Sequence, residues 1–212
     1  MGRRDGTDDT DPHDSEIVWA VMQALAKHGY ADLTTKKIAA EYSRGESALY
    51  YHYDSKDDLI CAFLDSSLDW FDQELDAIDA ADPDERLFEA CEILIGNVLD
   101  PDDGGEYAGL YIALAELSAH APYNETFRER LVKQQRSVIE KLAAILDDGI
   151  EDGTFRPVDP EATAAFLVVT CDSIIDHAVL LGMDDVASMI RAQLFAFVRS
   201  NLLAADGPDE LR

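Results

Sequence analysis

Apolar residues recur at helical spacing along almost the whole chain, and no stretch alternates as a half-buried strand does. Ile17, Val18, Val21, Ala24 and Leu25 share one face of a first helix, with Ser15 able to cap it and Gly29 placed to stop it. Thr34 precedes a short second helix through TKKIAAEY, and Ser43-Arg44-Gly45 breaks the pattern. A short third helix starts near Glu46 and runs through SALYYHY. Ser55 opens a longer fourth that carries Leu59, Phe63, Trp70, Phe71 and Leu75. Asp82-Pro83 and Asp159-Pro160 each read as a cap followed by proline at the first helical position. Between them lie a helix through Leu87, Cys91, Leu94 and Val98, one from Tyr107 to His120, and a long one capped by Asn124 that ends near Gly149 to Gly153. Helices over Ala162 to Leu181, stopped by Gly182, and from about Asp185 to Leu203 complete a set of nine. The fold class is all-α, without an internal repeat at a solenoid period.

Residues 1–13 are polar, charged and aperiodic, and are expected to form a disordered tail. Residues 14–56 hold two short helices around a tight turn, with a supporting helix before them and a long one after. That is the arrangement of a helix-turn-helix DNA reader, whose second short helix enters the major groove. Tyr50, Tyr51, His52 and Lys56 supply phenol, imidazole and ammonium donors, while Leu49 and Tyr53 can face inward. Thr34, Thr35 and Lys36 add donors at the start of the second helix. Packing of YYHY into a small bundle accounts for the same residues without DNA.

Charge separates these readings. The 212 residues carry a net of −27, which at first argues against a nucleic-acid partner. Along the chain, residues 1–26 net −4 and residues 57–212 net −24, while residues 27–56 hold five basic against four acidic side chains. The acidic excess lapses over the candidate reader, where phosphates would approach. Acids spread along the rest repel one another in dilute buffer. At about 1 M salt the screening length falls to about 3 Å, so the composition points to a salty cytoplasm.

The run LTTKKIAAEYSRGESALYYHYDSKDDLICAFLD, Leu33 to Asp65, resembles the DNA-binding segment of the TetR family of transcriptional regulators. The matching features are Thr34, Ile38-Ala39-Ala40, Leu49-Tyr50, His52, Tyr53, Ser55-Lys56 and Leu59; GIEDGTFRPVDPE, Gly149 to Glu161, is similar too. The resemblance implies a three-helix reader joined to a larger domain, residues 57–212, that binds an effector and forms a two-fold dimer. It places Thr34, Tyr50, His52 and Lys56 at phosphates and Glu46, Ser47, Ala48 and Tyr51 at bases, with Thr35, Lys36 and Gly45 completing the set. Arg44, Gly45 and Glu46 depart from the small apolar, Ser and Lys residues usual there. The implied function is a dimeric, ligand-responsive repressor acting on a palindromic double-stranded operator.

In the larger domain the last two helices are apolar over more than one face, so they are expected to be buried. Burial within the chain is one outcome. A four-helix dimer interface is the other, with Phe166, Val169, Ile174, Leu180, Ile190, Leu194 and Phe197 as its candidates. Trp70, Tyr107, Tyr111, Glu116, His120, Asp176 and His177 are polar or aromatic residues in apolar surroundings, and are the candidate lining of an effector pocket, whose apolar and aromatic character suits a small hydrophobic effector that releases the repressor from its operator. Asp172 and Asp176, like Ser173 and His177, share a helix face, which suits hydrogen bonding better than a metal. Cys61, Cys91 and Cys171 lack metal or disulfide spacing and read as core residues of a cytoplasmic protein. No membrane partner and no cofactor are expected. No G-x-S-x-G, H-E-x-x-H or phosphate-loop motif anchors an enzyme. An acidic helical interaction module without specific DNA binding remains the other reading.

Overall fold

The computed structural model describes residues 12–43, 47, 49, 51, 53–96, 98–99 and 104–204, with side chains except at 12–15 and 104–107. Eight helices are complete within them: α1 (Pro12–Asp32), α2 (Thr35–Glu41), α3 (Lys56–Asp76), α4 (Pro83–Ile95), α5 (Gly104–His120), α6 (Glu125–Asp152), α7 (Pro160–Ile175) and α8 (Asp184–Phe197). Ser47, Leu49 and Tyr51 are also helical, where the sequence expects the ninth. Among the described residues the sole extended pairing is an isolated bridge between Phe155 and Leu203.

Local chemistry sets most of the boundaries. Thr34, Ser55, Asn124 and Asp159 each accept a backbone N–H from the first turn of α2, α3, α6 and α7. Asp82 holds the cap position of α4 without a side-chain bond, so Pro83 alone marks that start. Gly153, at φ 88°, ends α6 in the left-handed conformation. Two starts differ from expectation. α1 begins at Pro12, ahead of Ser15 and inside the expected tail, of which residues 1–11 lie outside the described residues. α5 begins at Gly104 rather than Tyr107. Both α7 and α8 end in a wider π turn, over Asp176–Leu180 and Val198–Leu202.

Two apolar cores result. The first gathers Ile17, Leu25, Ile38 and Leu49 of the N-terminal helices with Leu59 and Phe63 of α3, and it also takes in Ala113 and Leu117 of α5 and Phe127 of α6. The N-terminal unit is therefore closed by residues from the larger one. The second core joins α4, α6, α7 and α8 around Leu87, Leu142, Leu167 and Ile174. Segment Pro160–Leu180 is long and apolar enough to cross a membrane by length and composition. Ala164, Leu167, Val168, Cys171 and Ile174 nonetheless put its inner side in this second core, as befits a core helix.

Gly149 lies inside α6 where Phe155 folds back, its backbone N–H donating to the Gly149 carbonyl at 2.8 Å. A Cβ on Gly149 would stand 2.2 Å from Phe155 Cδ2. Gly149→Ala gains about 1 kcal/mol of helix propensity but forces the ring away, at about 1–3 kcal/mol. A net loss in denaturant unfolding is expected, and a more stable variant would contradict this packing.

Candidate nucleic-acid interface and effector cavity

The reader is built outward from Leu49. That side chain is 1% exposed in the first core, whereas Ser47 and Tyr51, four residues apart on the other side of the same helical stretch, face solvent, Tyr51 at 85%. Tyr53 packs partly buried against the core. Thr34 Oγ1 accepts the Lys37 N–H at 3.2 Å and fixes the start of α2, with Thr35 at its first position and Lys36 exposed after it. Lys27 and Glu41 pair at 2.7 Å, and Lys37 Nζ donates to the Asp32 carbonyl at 2.9 Å. Gly45, Glu46, Ala48, Tyr50 and His52, together with Arg44, lie outside the described residues.

Lys56, a candidate phosphate contact, packs half-exposed against Tyr30. Its ammonium sits 4.0 Å from the centre of the Tyr30 ring and donates to the Tyr30 carbonyl at 3.3 Å. The cause is Gly29. At φ 66° and ψ 162° it breaks α1 and turns Tyr30 toward the start of α3, a backbone region that only glycine occupies readily. The Tyr30 N–H, freed from the helix, donates to Glu116 Oε1 of α5 at 2.9 Å. The Tyr30 ring lies 4.4 Å from that of His120 and edge-on to Phe127 at 5.7 Å, and its hydroxyl donates to Asp57 at 3.3 Å. Burial, then the Asp57 carboxylate, pushes its pKa up. Glu116 and His120, expected in an effector pocket, thus form a joint between reader and larger domain instead.

The cavity itself lies on another side of α5. A half-open cavity of about 430 Å³ lies between α3, α4, α5, α6 and α7 with its π turn, a size that suits a small organic ligand. Of the candidate lining residues, Tyr111 and Asp176 are there, and the Tyr111 hydroxyl donates to Asp176 Oδ1 at 2.7 Å. Burial, that bond and the Asp176 charge push the Tyr111 phenol up, so it stays protonated. Asp172 lines the same wall and accepts from the Gln135 amide at 3.0 Å. Burial, chiefly, and the neighbouring Asp176 push the Asp172 carboxyl up, while the Gln135 donor opposes this. Four expected residues lie off the lining: Glu116 and His120 at the joint, and Trp70 and His177. Trp70 packs at 4.7 Å against Phe71, which takes the wall position, and the His177 ring bonds back to the Ser173 carbonyl at 2.7 Å. The side chain of Tyr107 is outside the described residues.

Of the candidate interface residues, Phe166, Val169 and Leu180 are 49%, 59% and 47% exposed. Ile190 and Phe197 border a groove of about 480 Å³ beside Phe166. Ile174 and Leu194 require correction: at 0% and 3% exposed they belong to the chain's own core, and Leu194 only floors the groove. Cys91 and Cys171 are buried and Cys61 half-buried. A hydrogen bond to Cys91 and then burial push the Cys171 thiol up, and burial does so for Cys61, so neither has the depressed pKa of a reactive cysteine.

Residues 17–63 match the sequence model of bacterial regulatory proteins of the tetR family, and residues 83–203 match that of the BetI-type transcriptional repressor C-terminal domain. The crystal structure of a TetR transcription regulator from Haloarcula marismortui superposes with a TM-score of 0.78 at 33% identity, covering 90% of this chain and 98% of that one. The HTH-type transcriptional repressor KstR2 of Mycobacterium tuberculosis is 28% identical over 67% of this chain and 68% of its own length. The HTH-type regulator YfiR of Bacillus subtilis is 23% identical, over 79% and 80%.

Proposed function

From a chain that belongs to the TetR family of transcriptional regulators, we propose a homodimeric cytoplasmic repressor that a small molecule releases from a palindromic operator. Its class is that of DNA-binding helix-turn-helix regulators, not enzymes. The observation that carries the reading is the split of the third helical stretch, with Leu49 anchored in the core and Ser47 and Tyr51 presented to solvent. A helix anchored in a core on one side and reaching solvent on the other is what a major-groove reader requires. Tyr51→Ala and Ser47→Ala are expected to keep the fold and to weaken operator binding by about 5- to 150-fold each, with relaxed base preference. Unchanged affinity in both variants would refute the assignment.

Helix α5 connects effector to reader. It presents Tyr111, Leu114, Ala115 and Ser118 to the cavity, and Glu116 and His120 to Tyr30. A ligand that prefers one position of α5 therefore biases the angle of the reader and the spacing of two half-sites. The dimer is assigned to the exposed side of α7 and α8, where Phe166, Val169 and Met189 leave a strip of apolar surface uncovered. The charge of −27 is read as adaptation to a salty cytoplasm. Resistance to unfolding is expected to climb with KCl concentration, and full stability in dilute buffer would overturn this part.

A further inference from the structure

We infer that Tyr30 is a positioning residue for DNA binding, which holds the Lys56 ammonium charged and half-exposed where a backbone phosphate of the operator meets it. The inference rests on the regulator reading above and deepens it by naming what orients one phosphate contact. Ring, carbonyl and hydroxyl of Tyr30 all act on the start of α3. The ring centre lies 4.0 Å from the Lys56 ammonium, the carbonyl accepts from that ammonium at 3.3 Å, and the hydroxyl donates to Asp57 at 3.3 Å. An aromatic face and a carbonyl hold a cation without cancelling its charge. The hydroxyl meanwhile engages the carboxylate that follows Lys56 in the chain.

This setting distinguishes Lys56 from other cations of the protein. Lys27, Arg86, Arg130, Lys141 and Arg191 each pair with a carboxylate, whereas Lys56 has no ion pair among the described residues. In a chain of net −27 carboxylates are the ordinary partners of a cation, and a neutral holder leaves this one available to an outside anion. A lysine side chain loses much rotamer freedom when it contacts phosphate, and fixing it beforehand removes part of that cost. At about 1 M salt, where the screening length is about 3 Å, charge acts only near contact, so position decides what the ammonium contributes. Tyr30 is itself fixed from the larger domain, by Glu116 through its N–H at 2.9 Å and by the rings of His120 and Phe127.

The test uses the full chain in molar KCl and an inverted-repeat duplex selected from a random pool. Lys56→Ala is expected to weaken binding and to flatten the slope of log affinity against log salt by about one for each reader. Tyr30→Leu should weaken binding by about 3- to 10-fold and flatten the slope in the same direction, yet add little when Lys56 is already replaced by Ala. A merely structural Tyr30 would give losses that add. Tyr30→Phe keeps the ring and the carbonyl, and should lie closer to wild type than Tyr30→Leu. The wild-type protein supplies a reading free of any folding defect: the Lys56 ε-methylene protons, shielded by the Tyr30 ring, should resonate upfield of those of the other lysines and stay upfield in the complex. Additive losses, tighter binding by Tyr30→Leu, or a Lys56 signal that returns to the ordinary lysine position on DNA would overturn the inference. The regulator reading fails separately, when the folded wild-type protein enriches no sequence; enrichment together with any of those results defeats the positioning role alone.

Discussion

Replacing Phe127 by Ala is expected to cost about 3–5 kcal/mol, the range for deleting a fully buried aromatic side chain. Phe127 is 0% exposed, and it comes from α6 of the larger domain while lying in the core of the reader. It also stands edge-on to Tyr30 at 5.7 Å, so its loss empties the side of the joint that faces α1. The backbone there is held independently by Asn124, which accepts the Phe127 N–H at 3.2 Å. The helix should therefore persist while the contact between domains loosens. Denaturant unfolding in molar KCl measures the loss, and amide exchange should show α1 and α3 less protected than α7. A cost below about 1 kcal/mol, the range of surface substitutions and mild repacking, would mean that the two units do not share this core.

The second large effect belongs to Gly29→Ala. At φ 66° and ψ 162° a side chain is strained whatever space surrounds it, at about 1–3 kcal/mol. Space is short as well, since the new Cβ would lie 3.0 Å from Glu116 Oε1, the acceptor of the Tyr30 N–H. Backbone strain and a displaced acceptor act on one joint, so both stability and operator affinity should fall. Adding Glu116→Ala to Gly29→Ala relieves the crowding but not the dihedral strain, and should recover stability only in part. Wild-type melting by Gly29→Ala alone would remove the joint from the account.

Helix existence was legible because caps and periodicity are local. Thr34, Ser55, Asn124 and Asp159 act within one turn of themselves, and each was identifiable from the residues that follow it. The reader was legible for a further reason, since two short helical segments flank the Ser43-Arg44-Gly45 break and charge lapses across the same stretch. What escaped was the side each helix turns to its neighbours. Tyr111 and Glu116 are both polar positions on an apolar helix, but five residues turn the helix to directions about 140° apart. One faces the cavity and the other faces Tyr30. Trp70 and Phe71 are adjacent aromatics, and only the second reaches the cavity. Helix α7 is apolar nearly all round, so its pattern holds no signal to divide buried Ile174 from exposed Phe166 and Val169. The Lys56 contact was hidden because it depends on Tyr30, far back in the sequence and turned by one glycine.

The central claim is that the lapse in an otherwise acidic chain marks a DNA-reading surface. Selection of bound sequences from a random duplex pool, in molar KCl with the intact protein, tests it most directly. The account predicts enrichment of one inverted repeat, lost or relaxed in Tyr51→Ala and Ser47→Ala. A folded protein that enriches no sequence under those conditions would contradict it.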